Sequence, residues 1–292
     1  GSPLSPTATP GVVTTAITLT DGLGRTVTLA GPVRRIVSLS PSNTELLFAV
    51  GAGAQVVGRE ELSDSPPAAQ GVASIGSVYG NLNTEAILAL QPDLIFAAEI
   101  NPPEQVKTLE NLGLTVYWLA NPTDFDGLYR NVRITGQLTG HVAEADALAQ
   151  AMESRVQAVL AALASAKETP TVFYELDATD ATKPYTVGPG TFIHTLIELA
   201  AGRNVAAGLG AAYPQISAEE LLAQNPQIIL LGDSAYGVTP ESVAQRPGWS
   251  ALLAVQNGAI YAFDDNLVSR PGPRLVDGLE QLAKLIHPEL IK

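Results

Sequence analysis

Residues 79–97 read YGNLNTEAILALQPDLIFA and residues 213–231 read YPQISAEELLAQNPQIILL; the two overlay without a gap at a constant offset of 134. Tyr79 meets Tyr213, Glu85 meets Glu219, Leu88 meets Leu222, Ala89 meets Ala223 and Pro92 meets Pro226. Each copy reads as an aromatic residue, a loop, a capped helix, a proline and an apolar strand. Asn83 and Ser217 carry side chains that accept from the free N–H groups of a helix start, which puts Glu85 and Glu219 in first turns. Ser217 and Glu220 have the spacing of a reciprocal capping box. A repeat of this kind implies two similar structural units.

Between the copies lies VAEADALAQAMESRVQAVLAALASA (142–166). Leu148, Met152, Val156, Val159 and Leu163 step by three or four, one apolar stripe along a helix that neither Gly nor Pro interrupts. Such a helix is roughly 38 Å long, about the width of two small lobes. Strands are expected at Ile36–Leu39, Leu94–Ala97, Val116–Leu119, Thr171–Glu175, Ile228–Leu231 and Ile260–Phe263, where short β-branched or apolar runs end in turn residues. ITLTDGLGRTVTL (17–29) alternates with period two around a glycine-containing turn, a hairpin. A last helix is expected from about Pro273 to Ile286. The alternation of strands and helices makes the chain α/β. The expected division is a Ser/Thr/Pro-rich tether at 1–16, an N-terminal lobe at 17–141, a linking helix at 142–167 and a C-terminal lobe at 168–292.

Composition narrows the function. With 16 basic and 29 acidic residues the net charge is −13, which argues against nucleic acid, whose binding rests on clustered Lys and Arg. There is no cysteine, so disulfides, thiolate metal sites and Cys nucleophiles are excluded. His141, His194 and His287 lie far apart with no metal-ligand spacing. No run of 18 apolar residues suggests a membrane span. GSPLSPTATPGVVTTA (1–16) has no periodicity; it suits either a lipoprotein stalk or a disordered tail.

The stretch RRIVSLSPSNTELLFAVGAGAQVVG (34–58) poses the chemical question. An apolar strand is followed by a polar turn, and Ser42 with Glu45 has capping-box spacing for the helix after it. Nucleotide sites and catalytic nucleophiles are often presented this way. Neither G-x-x-x-x-G-K-[ST] nor G-x-S-x-G occurs, and the nearest likeness, Gly232-Asp233-Ser234-Ala235-Tyr236, fails at its last position. The turn is a polar helix N-terminus facing something, without an obvious reaction to run.

The hairpin with the strand–turn–helix after it, the LNTEAILALQPDLI segment, the long helix and the second copy of the repeat together resemble the helix-backbone class of ABC-transporter solute-binding proteins. The resemblance covers about residues 16–291 and is strongest in RIVSLSPSNTE and EAILALQPDLI. That class collects cobalamin, ferric siderophores and haem outside the cytoplasmic membrane, and the cobalamin-binding members are the most similar.

The resemblance implies two α/β lobes bridged by one long helix, a ligand cleft between them, and a monomeric carrier that performs no catalysis. It implies cobalamin as the noncovalent ligand, with a ferric siderophore as the alternative and no cofactor. Partners would be the permease subunits, with the membrane touched only through an N-terminal lipid anchor. Localisation would be extracytoplasmic, in the periplasm or on the outer face of the membrane as a lipoprotein. Ser42 and Asn43 would lie on the first wall of the cleft. Tyr79 and Tyr213 fall where cobalamin-binding relatives carry bulky aromatics, usually tryptophan, on opposite walls; their bland alternative is packing within each lobe. Asp265 and Arg270 would reach the polar arms of the ligand, or else form a surface ion pair. Phe192 is the remaining expected cleft contact, with core packing as its alternative. Glu85 and Glu219 would dock onto permease arginines, one per lobe. Haem is disfavoured because Val78 stands where haem-binding relatives place an iron-ligating Tyr, and Asn81 where they place an Arg. Outside the family, an α/β enzyme with an unrecognised site is the competing reading.

Overall fold

The computed structural model describes residues 15–291; most of the expected tether lies outside them. The chain opens with the antiparallel hairpin β1 (Ile17–Thr20) and β2 (Thr26–Leu29). Asp21 closes its turn by accepting from the Leu23 and Arg25 backbone N–H groups. Four parallel strands follow: β3 (Ile36–Ser38), β4 (Val56–Arg59), β5 (Leu94–Ala98) and β6 (Val116–Leu119), in the order β4-β3-β5-β6. A second parallel sheet contains β7 (Thr171–Glu175), β8 (Arg203–Asn204), β9 (Ile228–Leu231) and β10 (Ile260–Ala262), in the order β8-β7-β9-β10. The two sheets therefore share one topology, with the second strand of each outside the first. β4 and β8 escape the sequence reading because they are short edge strands. Gly58 and Arg59 interrupt the apolar run of one, and the other is the polar pair Arg203-Asn204.

The helices are α1 (Pro41–Ala49), α2 (Thr84–Ala89), α3 (Pro103–Asn111), α4 (Phe125–Thr139), α5 (Val142–Leu163), α6 (Phe192–Leu199), α7 (Ala218–Gln224), α8 (Pro240–Ala244), α9 (Leu253–Gln256), α10 (Asn266–Ser269) and α11 (Leu275–Ile286). The repeat survives in backbone detail. Asn83 caps α2 by accepting from Ala86 N–H, and Ser217 caps α7 by accepting from Glu220 N–H. The residues that follow, Gln91 and Asn225, both have φ of 45°; this left-handed turn, followed by proline, stops each helix at the same repeat position. The capping box expected at Ser217 is only half made, because Glu220 accepts from the Gln224 side chain instead.

The start of α1 differs from expectation. Ser40, not Ser42, is the N-cap, its Oγ accepting from Asn43 N–H at 3.2 Å. Pro41 is the first helical residue, where its missing N–H costs nothing. Glu45 is thereby freed from capping.

Side chains alternate along each strand between two cores. In β5, Leu94 and Phe96 join a core shared by both lobes, while Ile95 and Ala97 join one private to the first lobe. In β9, Ile228 and Leu230 join the shared core, and Ile229 and Leu231 a private one in the second. The shared core runs through α5, whose Ala145, Ala149, Met152, Val156, Val159 and Leu163 are buried. Leu148, expected in that stripe, is only half-buried. α4 comes too close for a leucine to lead: a Cβ on Gly136 would stand 2.4 Å from that of Ala145.

A second tie crosses between lobes. Glu45 is 5% exposed, and both its oxygens accept from Arg274, at 2.9 and 2.6 Å. Arg270 lies 3.4 Å from the same carboxylate and 2.5 Å from Asp64. Replacing Glu45 leaves two guanidinium groups beside an emptied acceptor site. Glu45→Ala is expected to cost about 3 kcal/mol in urea unfolding, with Glu45→Gln intermediate. Unchanged stability in both variants would show that the cluster ties nothing together.

Candidate functional site

In each sheet the strand order reverses between the first and third strands, and loops at the carboxyl ends of β3, β5, β7 and β9 open there toward the space between the lobes. A cavity of about 500 Å³ occupies that space. The first lobe supplies Ser42, Glu61, Asp64, Tyr79 and Asn121 to its wall, and the second supplies Tyr236, Asp265, Asn266, Ser269 and Arg270. A cavity of about 770 Å³ continues into the second lobe, lined by Asp177, Tyr185, Asp233 and Val238, and it shares Tyr236 and Asp265 with the first.

Tyr79 is 64% exposed, yet its loop is held. The Gln105 side-chain amide donates to the carbonyls on either side of it, Val78 at 2.8 Å and Gly80 at 2.9 Å. Tyr213, 59% exposed, sits on a segment hydrogen-bonded to residues 186 and 188. Close approach there requires glycine, since a Cβ on Gly188 would meet the Ala211 carbonyl oxygen at 2.1 Å. Burial raises the phenol pKa of Tyr213, and Asp265 and Glu99 raise it further. The hydroxyl therefore stays protonated at neutral pH.

Asp265 accepts from the buried Tyr174 hydroxyl at 2.6 Å; burial first, and Asp265 second, hold that phenol well above its usual range. Asp64 is held below the usual carboxylate range, chiefly by its hydrogen bond from Arg270.

Ser42, Tyr79, Asp265 and Arg270 thus share one wall system. Tyr213 is exposed on its loop and lines neither cavity. Two further expected contacts also lie outside the walls. Asn43 is buried, and its amide donates to Ala97 O at 2.9 Å, pinning α1 to the end of β5. Phe192 packs edge-on against Phe125, ring centroids 5.4 Å apart, within the shared core; one ring from each lobe makes this an inter-lobe contact. Arg270 reaches the cleft, but its guanidinium is committed to Asp64 and Glu45. Glu85 and Glu219 are exposed, each the second residue of its helix.

Sequence reasoning passed over Tyr236 and Asp233. Tyr236 is 89% exposed on the turn after β9, whose Ser234 Oγ donates to Phe263 O at 3.1 Å. The available signal was the polar GDSAYG run closing a central apolar strand. Asp233 is 4% exposed. One oxygen accepts from Ala178 N–H at 3.1 Å, and the other has no partner. Behind it Glu175, fully buried, is gripped through both oxygens by Arg246, whose guanidinium lies 4.6 Å from the centre of the Trp249 ring. Burial, and then Glu175, push the Asp233 carboxyl up to about 6.

Among the described residues, no three side chains of His, Asp or Glu gather as a metal site, and no helix is long and apolar enough to cross a membrane. The space between the lobes is lined chiefly by tyrosines and carboxylates.

The model of a family described as periplasmic binding protein matches residues 36–267. An uncharacterized ABC transporter substrate-binding lipoprotein of Bacillus subtilis is 32% identical, over 94% of this chain and 87% of its own. The cobalamin-binding protein of Halobacterium salinarum is 31% identical, over 93% of this chain and 74% of its own. Among solved structures, the periplasmic vitamin B12 binding protein of Vibrio cholerae superposes with a TM-score of 0.76 at 29% identity, covering 88% of this chain and 98% of that one.

The raised carboxyl of Asp233 carries a stability consequence. The folded state holds this proton more tightly than the unfolded chain, so stability falls as pH rises from about 4 to about 6. Asp233→Asn removes that cost. It should stabilise the protein at pH 7.5 by on the order of 1–2 kcal/mol, with the gain vanishing below about pH 4. Thermal unfolding across pH checks this; a variant less stable than wild type at pH 7.5 contradicts it.

Proposed function

The chain belongs to the periplasmic binding protein family, and from that premise we propose that it is the extracytoplasmic carrier of an ABC importer, holding cobalamin or a related corrinoid between its lobes. The observation that carries this reading is the inter-lobe cavity, walled by Tyr79 from the first lobe and Tyr236 from the second, with the repeat partner Tyr213 exposed on its own loop. Such rings offer flat apolar faces to a macrocycle and phenol hydroxyls to its periphery. Two cavities with a shared wall suit a ligand larger than most metabolites. Ser42 and Asp265 supply hydrogen-bonding groups for amide arms. The relatives named as cobalamin-binding and vitamin B12-binding support the same ligand.

Calorimetric titration with cyanocobalamin, alongside a panel of ferric siderophores, tests the assignment. Saturable binding of cyanocobalamin, weakened by about tenfold or more when Tyr79 and Tyr213 are both changed to Ala, is the expected outcome. Saturation by a ferric siderophore and not by the corrinoid would transfer the assignment to siderophore transport.

Delivery requires docking to the permease, and Glu85 and Glu219 are the proposed contacts. An acid in a first helical turn gains roughly 0.3–1 kcal/mol from the helix dipole alone. That gain is available at neighbouring positions too, whereas both copies use the second residue. A two-fold partner needs matching positions in the two lobes. Glu85→Ala combined with Glu219→Ala should leave ligand affinity unchanged while weakening permease binding and uptake, with a marked salt dependence. Normal uptake by the double variant would leave only the dipole role.

A further inference from the structure

Charge is distributed unevenly around the cleft. The walls of the two cavities carry the carboxyl groups of Glu61, Asp64, Asp177, Asp233 and Asp265 against one basic side chain, Arg270. That guanidinium is committed to Asp64 and Glu45. The arginines just behind the walls are committed as well, Arg274 to Glu45 and Arg246 to Glu175. Among the described residues, none of the basic side chains lining these walls or packed directly behind them is left to meet a ligand anion. Asp177, held below the usual range chiefly by the Thr179 N–H, keeps its charge at neutral pH.

The same groups say what the ligand must bring. An ionised carboxylate only accepts hydrogen bonds, so a rim that meets these walls has to donate. Asp233 adds none of the missing donors: one of its oxygens is sealed from solvent without a partner, although the residue itself lines the larger cavity. The acids are spread around the cleft instead of gathered at one point, and no three of them form a metal site among the described residues. This suits the rim of a large ligand better than a bare cation.

We propose that the cleft sorts large ligands by charge, accepting one whose rim is uncharged or cationic and rich in N–H or O–H donors, and rejecting one of similar size that carries carboxylate groups. The rule deepens the carrier reading of the same site and rests on it. Its physical basis is repulsion between like charges in a cleft whose low-dielectric walls concentrate the field. Primary amide arms satisfy the rule, as does a ferric trihydroxamate with a free amine; propionate arms do not.

The test uses two matched pairs, each titrated into the wild-type protein at pH 7.5 and low salt. One pair is cyanocobalamin and its monocarboxylic acid derivative, in which a single propionamide has become a propionate. The other is a ferric trihydroxamate ending in a free amine and the same complex with that amine succinylated. Within a pair that binds, the anionic member should bind at least about tenfold more weakly. High salt should narrow the gap. So should Glu61→Gln combined with Asp177→Asn, two exposed wall positions where substitution spares the core. Equal or reversed affinities within a bound pair overturn the charge rule, and if cyanocobalamin still binds, the carrier assignment survives. Discrimination within the hydroxamate pair, with no corrinoid binding, upholds the rule and overturns the corrinoid assignment. Failure of both uncharged or cationic probes to bind overturns both.

Discussion

One helix must bury a single face against two lobes at once, and the geometry of the cleft follows from that. The stripe on α5 packs against α4 in the first lobe and α11 in the second, so the inner faces of both sheets belong to one core. Its fully buried aliphatic side chains are each worth roughly 1.5–3 kcal/mol. The contact is close because small residues meet where α4 and α5 touch, at Gly136 and Ala145. A hinge would have to break this packing. The Phe125–Phe192 contact and the Glu45 cluster brace the lobes at two further points, and α5 itself has no glycine or proline at which to bend.

The buried charges divide into two kinds. Glu45 and Glu175 sit deep and are each gripped by forked guanidinium donors, the geometry that offsets desolvation. These pairs consume the basic side chains nearest the cleft. Of the wall acids, Asp64 is paired with Arg270, while Glu61, Asp177, Asp233 and Asp265 face the cavities without cations of their own. The electrostatic character of the cleft is thereby set by structural ion pairs.

Tyrosine supplies the apolar surface. Tyr79, Tyr185, Tyr213 and Tyr236 are the exposed large aromatics of the described chain, whereas Trp249 is buried and Trp118 nearly so. Phenol rings offer a flat face together with a hydroxyl, suiting a ligand that is apolar in its plane and polar at its rim. Their loops are anchored by Gln105, by the residue 186–188 segment and by the Ser234 turn, so little loop entropy is lost on binding.

Much of this architecture was legible locally. The gapless repeat implied two like lobes, apolar runs located the central strands to within a residue or so, and the spacing of Met152, Val156, Val159 and Leu163 specified a linking helix. Asn83 and Ser217 were readable as caps because capping is settled within three residues. What stayed hidden depended on partners distant in the chain or on competition between neighbours. Ser40 and Ser42 both suit a cap, and the fixed φ of Pro41 decided for Ser40. The edge strands β4 and β8 exist because a sheet lay ready to accept them. Glu45 resembles a capping residue until Arg270 and Arg274, more than 200 positions away, close on it. Phe192 resembles a ligand contact until Phe125 of the other lobe meets it, and Asp233 becomes an orphaned acid only when Glu175 and Arg246 pack behind it. Periodicity and capping act over a few residues and are written in the sequence; burial and the pairing of charges are set by which distant segments the fold brings together.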